Sequence, residues 1–189
     1  MVKVWDPFVR FFHWALVLAV ISQFFTAESM TGVHVWVGTG IAVLLAARVI
    51  WGFIGTKHAR FSDFVYSPRE VFAYLKSMLR RNPKHYVGHS PAGGAMVYLL
   101  LGVLLLTAAA GLKTAGAMGQ GPLAQRTTVS LAWADGDDDD EDEGRKGSGG
   151  GGAADYWKEI HEVLAGTMIF LIILHVAGVL QRASCTRKT

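Results

Sequence analysis

Apolar residues in this chain gather into four blocks, roughly Val9–Phe25, Val33–Ile54, Ala92–Leu112 and Ile160–Leu180. Each is close to the ~20 residues that a helix needs to cross ~30 Å of hydrocarbon. The pattern predicts an all-α membrane protein, a four-transmembrane-helix bundle with spans at about 9–26, 33–54, 92–112 and 158–181. No internal repeat is evident, and residues 1–189 read as a single domain. The first block carries Arg10 near its start, where a long cationic side chain can reach the interface. It also contains His13 and Gln23, and no small-x-small cleavage site follows it. The expectation is therefore a retained helix rather than a signal peptide.

The segments between the blocks differ in charge. Lys57, Arg60, Arg69, Lys76, Arg80, Arg81 and Lys84 make the 55–91 connection strongly basic, and the positive-inside rule assigns it to the cytoplasm. Within it, Val71, Phe72, Leu75, Met78 and Leu79 recur at helical spacing behind Pro68. That spacing predicts a short amphipathic helix over Pro68–Arg81, either lying on the inner leaflet with its cations toward anionic lipid or packed as a surface helix. The 113–157 connection holds the acidic run Asp135–Glu143 and the glycine-rich Gly147–Gly152. Such composition buries too little apolar surface to fold alone and is expected to be a flexible loop. Chain parity puts this loop in the periplasm and both termini in the cytoplasm, in agreement with Lys3, Arg10, Arg182, Arg187 and Lys188.

About half of the residues are apolar and the mean hydropathy is positive, which fits the membrane reading and gives no reason to expect a nucleic-acid partner. Cys185 is the only cysteine, so this chain alone forms no internal disulfide, no C-x-x-C-H haem attachment and no iron–sulfur cluster. A redox cofactor held by the chain must therefore rest on its histidines.

Ionisable residues inside a bilayer are costly and are functional candidates by default. His13, His34, His161 and His175 fall in or at the ends of the apolar blocks. His161 and His175 are fourteen residues apart, nearly four whole turns, so they share a helix face across a rise of about 21 Å. His34 matches the depth of His161, and His13 that of His175. Two imidazoles at each of two depths is the arrangement of a dihaem b cytochrome. A lone histidine at a helix end is more often interfacial, so the set carries the argument and no single member does. A zinc or copper site would ordinarily gather three or four donors at one level. Gly38, Gly166 and Gly178 lie close after three of the histidines, where a flat macrocycle or a neighbouring helix can approach. Arg48, fourteen residues after His34, either pairs with a propionate of the inner haem or reaches lipid phosphate. His58, His85 and His89 belong to the basic connection and are expected to be solvated.

Several stretches match a known pattern: V-W-D-P-F-V-R-F-F-H-W from Val4, H-V-W-V-G from His34, R-V-I-W-G-F-I-G-T-K-H-A-R-F-S-D-F from Arg48, G-H-S-P-A-G-G from Gly88, and H-E and L-H-V-A-G around His161 and His175. In these the chain resembles the bacterial cytochrome b561 and nickel–iron hydrogenase b-type cytochrome family, over nearly its whole length outside the acidic loop. The resemblance implies a multi-pass dihaem electron carrier of the bacterial inner membrane. Two haem b groups would be held by His13 with His175 and by His34 with His161, and electrons exchanged with quinone. It also implies a periplasmic redox protein as partner, either a hydrogenase-like subunit or a c-type cytochrome. The acidic loop departs from the usual pattern and would suit a positively charged partner. Two other functions compete: a superoxide:quinone oxidoreductase, disfavoured by an acidic outer loop, and a metal or solute permease with a histidine relay.

Overall fold

The computed structural model describes residues 6–28, 31–80, 86, 90–124 and 148–186. They form helices α1 (Pro7–Thr26), α2 (Thr31–Ile54), α3 (Pro68–Leu79), α4 (Pro91–Ala117) and α5 (Ser148–Thr186), with short 3-10 turns at Lys57–Ala59, Phe61–Phe64 and Gly121–Leu123. No strand occurs among the described residues. Helices α1, α2, α4 and the Ala154–Gln181 part of α5 are long and apolar enough to cross a membrane. Their surfaces agree with that reading. Phe11, Phe25, Phe53 and Phe170 are between 59% and 77% exposed, a density of bare aromatic surface that water would not tolerate and lipid does.

Local chemistry sets the helix ends. Pro7 and Pro91 occupy the first helical position, where the missing N–H costs nothing. The Asp6 carboxylate accepts hydrogen bonds from the amides of Phe8 and Val9 at 2.8 and 3.3 Å and caps α1. Ser67 and Glu70 form a reciprocal capping box on α3. Helix α4 ends in a Schellman turn: the Gln120 amide donates to the Ala115 carbonyl at 2.7 Å and the Gly119 amide to Gly116 at 3.1 Å. Gly119 sits at φ 70°, a conformation that a side chain would strain.

The connection expected over 113–157 is shorter at both ends, because α4 runs on to Ala117 and α5 already starts at Ser148. Once the apolar part of α5 has formed, each added residue gains a hydrogen bond without repeating the cost of nucleation. Extension through the glycines therefore meets only their roughly 1 kcal/mol per-residue penalty and no new nucleation cost. The acidic run Asp135–Glu143, together with His85 and His89, lies outside the described residues.

The chain divides into two compact units, and each of the four long helices contributes to both. The first unit takes the chain up to Trp14, Leu45–Leu104 and the chain from Gly166. Its core includes Phe12, Leu45, Arg48, Phe64 and Tyr74. Phe61 packs edge-on against Phe53 and Phe64, and its ring fills the space where a Cβ on Gly52 would stand. The second unit takes Ala15–Leu44 and Leu105–Ala165, with Ile41, Thr107, Ala110, Ala115 and Ala154 buried.

Candidate cofactor sites

The second unit brings His34 and His161 together. His34 lies in the first turn of α2 and His161 on α5. Their ring centroids are 6.2 Å apart and the planes nearly perpendicular, at 85°. Each ring leans on a main-chain carbonyl through Nδ1: His34 on Gln23 at 3.3 Å, and His161 on Thr107 at 2.9 Å. A carbonyl only accepts, so both rings carry their proton on Nδ1 and keep the Nε2 lone pair.

The two acceptors arise differently. Gln23 is in the last turn of α1, where the backbone amides that would cover the carbonyls run out; its carbonyl also accepts from Thr26 Oγ1 at 3.4 Å. Thr107 is in the middle of α4, and its carbonyl is reached because residue 111, one turn on, is glycine. A Cβ there would stand 2.9 Å from Cε1 and 3.0 Å from Nδ1 of His161. The missing side chain opens the side of α4 to the imidazole.

This pair fits a metal held between two neutral imidazoles. Two metal–nitrogen bonds of about 2 Å, with the ring radii added, give centroids roughly 6 Å apart. Hydrogen bonds from the second ring nitrogen to carbonyls are the usual way such ligands are oriented. No group of three or more His, Cys, Asp or Glu suited to a metal ion occurs among the described residues. Two nitrogen donors suit a metal whose other ligands come from a macrocycle.

The first unit holds His13 on α1 and His175 on α5, the former exposed and the latter half-buried. They are within electrostatic range of each other, and His13 meets Trp14 edge-on with centroids 5.5 Å apart. Arg48, in the same unit, is only 5% exposed. Its Nη2 donates to the Ala59 carbonyl at 3.3 Å, and its guanidinium carbon lies 4.9 Å from the Phe61 ring centroid. Its Nη1 is buried and has no hydrogen-bond partner among the described residues. A buried cationic N–H left unpaired is expensive, and a cofactor bearing carboxylates would satisfy it.

Several contributors carry no mark in the residue order. Gln23, Thr107 and Gly111 seat the rings of the second unit; two act through backbone carbonyls, which any residue type supplies. Asp6 joins α1 to the end of α2 by accepting from Thr56 Oγ1 at 2.7 Å and Trp51 Nε1 at 3.4 Å. Phe8 and Trp51 stack alongside, 4.8 Å between centroids. Burial pushes the Asp6 carboxyl up, but hydrogen bonds from Thr56, Val9, Phe8 and Trp51 outweigh it and hold the group below the usual carboxylate value. Of the glycines singled out from sequence, Gly166 and Gly178 face open space, whereas a Cβ on Gly38 would stand 3.0 Å from Gln23 Nε2. His58 lies in the 3-10 turn Lys57–Ala59.

The sequence profile described as prokaryotic cytochrome b561 matches residues 4–188. Three curated proteins named probable Ni/Fe-hydrogenase B-type cytochrome subunit are similar to the chain. The one from Rhizobium leguminosarum bv. viciae is 31% identical over 134 residues, covering 56% of this chain and 55% of that protein. Those from Rhodobacter capsulatus and Azotobacter chroococcum mcd 1 are 24% and 28% identical, covering 64% and 66% of this chain and 57% and 64% of the relatives. The chain thus spans less than two thirds of the length of these relatives. No solved structure matches it.

Proposed function

Because the chain belongs to the prokaryotic cytochrome b561 family, we propose that it carries electrons through two b-type haems across the bacterial inner membrane, between the quinone pool and a periplasmic redox protein. The observation that carries this reading is the His34–His161 pair, 6.2 Å apart with both Nδ1 atoms committed to carbonyls. Haem iron held by two imidazoles would supply one-electron chemistry rather than oxygen binding. His34 and His161 hold one haem, and His13 and His175 hold the other. Arg48 would offer its Nη1–H to a propionate of the haem in its own unit, a charge-assisted bond that would offset the desolvation of both groups.

The protein contributes ligand orientation, a dry surrounding and fixed charge, and the porphyrins contribute the redox chemistry. The similar proteins are named as subunits accompanying a Ni/Fe-hydrogenase. A hydrogenase-like subunit is therefore the first candidate for the periplasmic partner, with a c-type cytochrome as the second. The basic residues between α2 and α4 orient the chain with both termini in the cytoplasm.

Haem-to-protein ratios and redox difference spectra of single alanine variants test the proposal. His34→Ala and His161→Ala should lose the same haem, and His13→Ala and His175→Ala the other. If His34→Ala and His13→Ala stripped the same haem, the pairing would be wrong. Colourless wild-type protein, after expression with ample haem, would overturn the function itself.

A further inference from the structure

Helix α3 takes no part in either histidine pair, yet its faces are sharply divided. At about 100° per residue, Val71, Tyr74 and Met78 share a stripe, and this is the side that packs. Tyr74 is buried and the other two half-buried. Tyr74 also meets Tyr86 edge-on, 5.6 Å between centroids. The next stripe round holds Leu75 and Phe72, 42% and 72% exposed. Beyond it come Arg69, Lys76 and, at the C-terminal cap, Arg80, all exposed. Glu70, the acid of this helix, projects from the opposite flank and is held by Ser67, whose amide and hydroxyl both lie 2.8 Å from its carboxylate.

A bare apolar stripe bordered on one flank by cations is the surface of a helix that lies in a membrane interface. The position of α3 agrees. Gln181, which directly follows the apolar run Ile160–Leu180, has its side-chain amide 3.4 Å from the Met78 carbonyl, to which it donates. That bond fastens the C-terminal turn of α3 beside the point where the apolar run gives way to Gln181 and Arg182, the place along a spanning helix that meets the interface. At this level Phe72 and Leu75 reach acyl chains while Arg69, Lys76 and Arg80 reach phosphate. We propose that α3 is an in-plane interfacial helix that binds anionic phospholipid, with Phe72 and Leu75 inserted and Arg69, Lys76 and Arg80 pairing with headgroups. Each cation near a negatively charged leaflet adds to the attraction, so the three act together.

The test uses full-length, haem-loaded protein in a Cys185→Ser background, with one nitroxide label per variant at Phe72→Cys, Leu75→Cys or Ala73→Cys. Ala73 is exposed on the side away from Phe72 and Leu75. Vesicles are phosphatidylcholine with or without phosphatidylglycerol, and relaxation by oxygen is compared with relaxation by a water-soluble nickel chelate. The expected oxygen-to-nickel ratio is severalfold higher at 72 and 75 than at 73. Phosphatidylglycerol should raise that contrast, and the triple variant Arg69→Gln, Lys76→Gln, Arg80→Gln should abolish the rise while keeping the haem spectrum. Equal ratios at 72 and 73 would overturn the proposal. So would a phosphatidylglycerol effect that survives the triple variant. Shielding of position 72 from both reagents would overturn it too, since that marks cover by a protein or a second copy of the chain.

Discussion

Replacing Gly111 by alanine tests how the His161 ring is seated. The new methyl would stand 2.9 Å from Cε1 and 3.0 Å from Nδ1 of the imidazole. Carbon contacts settle near 3.5 Å or more, so the ring must retreat by roughly half an ångström or more. The Nδ1 to Thr107 carbonyl distance, 2.9 Å in the native chain, then approaches about 3.5 Å, where a hydrogen bond is effectively lost. Overpacking of this kind costs about 1–3 kcal/mol, and the forfeited hydrogen bond about 1 kcal/mol more. The roughly 1 kcal/mol by which alanine improves on glycine inside a helix is common to the apo and haem-loaded chain and cancels in the affinity. The seating cost, about 2–4 kcal/mol when it is met only with the ring held at the metal, corresponds to a loss in haem affinity at this site of roughly 30- to 900-fold at most. Gly102, on the same helix with nothing within 4 Å of an added Cβ, is the matched control. Haem titration into apoprotein, with the affected site identified by comparison with His34→Ala, gives the readout. Gly111→Ala should weaken that haem and shift its potential, while Gly102→Ala changes neither. Retention of both haems at native affinity and potential would refute the seating, as would loss of the haem that His13→Ala removes.

Arg48→Gln should lower the midpoint potential of the haem held in its unit, because a nearby positive charge favours the reduced, less positive iron. At about 10 Å and an effective dielectric of about 20 the change is on the order of tens of millivolts; an unchanged or raised potential in redox titration would count against the propionate contact. Asp6→Ala should destabilise the first unit by about 1 kcal/mol through loss of the α1 cap, with Thr56 and Trp51 losing their acceptor as well, measured as a lower thermal midpoint in detergent. The Asp6 carboxyl titrates below its ordinary value of 3.8 in the folded chain, so its stabilisation is full at neutral pH and is lost as pH falls through the folded value. The thermal gap between native and variant protein should therefore close in strong acid, and a gap that widened there would contradict the assignment.

Much of this architecture could be read from residue order, and the exceptions have physical causes. Block length alone located the spanning helices, because hydrocarbon thickness admits few alternatives. Spacing also marks α3, and the Ser67–Glu70 box that begins it adds a start signal to that of Pro68. The fourteen-residue interval between His161 and His175 marked one face of α5. What places His161 against His34, however, is a carbonyl on α4 uncovered by Gly111. Carbonyls are common to every residue, and glycine in a membrane helix has several ordinary uses, so neither announces a ligand seat. The early start of α5 was hidden for a different reason: composition counts Gly149–Gly152 as loop, while a helix already formed next to them can extend through them.

The unequal supports of the His34 and His161 rings have a consequence for electron affinity. His161 leans on a carbonyl in the middle of α4, at 2.9 Å, whereas His34 leans from 3.3 Å on the final turn of α1. A helix terminus of that polarity carries partial negative charge and is also where a helix frays first. If an iron is held between the rings as proposed, the donor strength of the His34 imidazole, and with it the voltage at which that iron changes oxidation state, would therefore vary with the order of one exposed helix end.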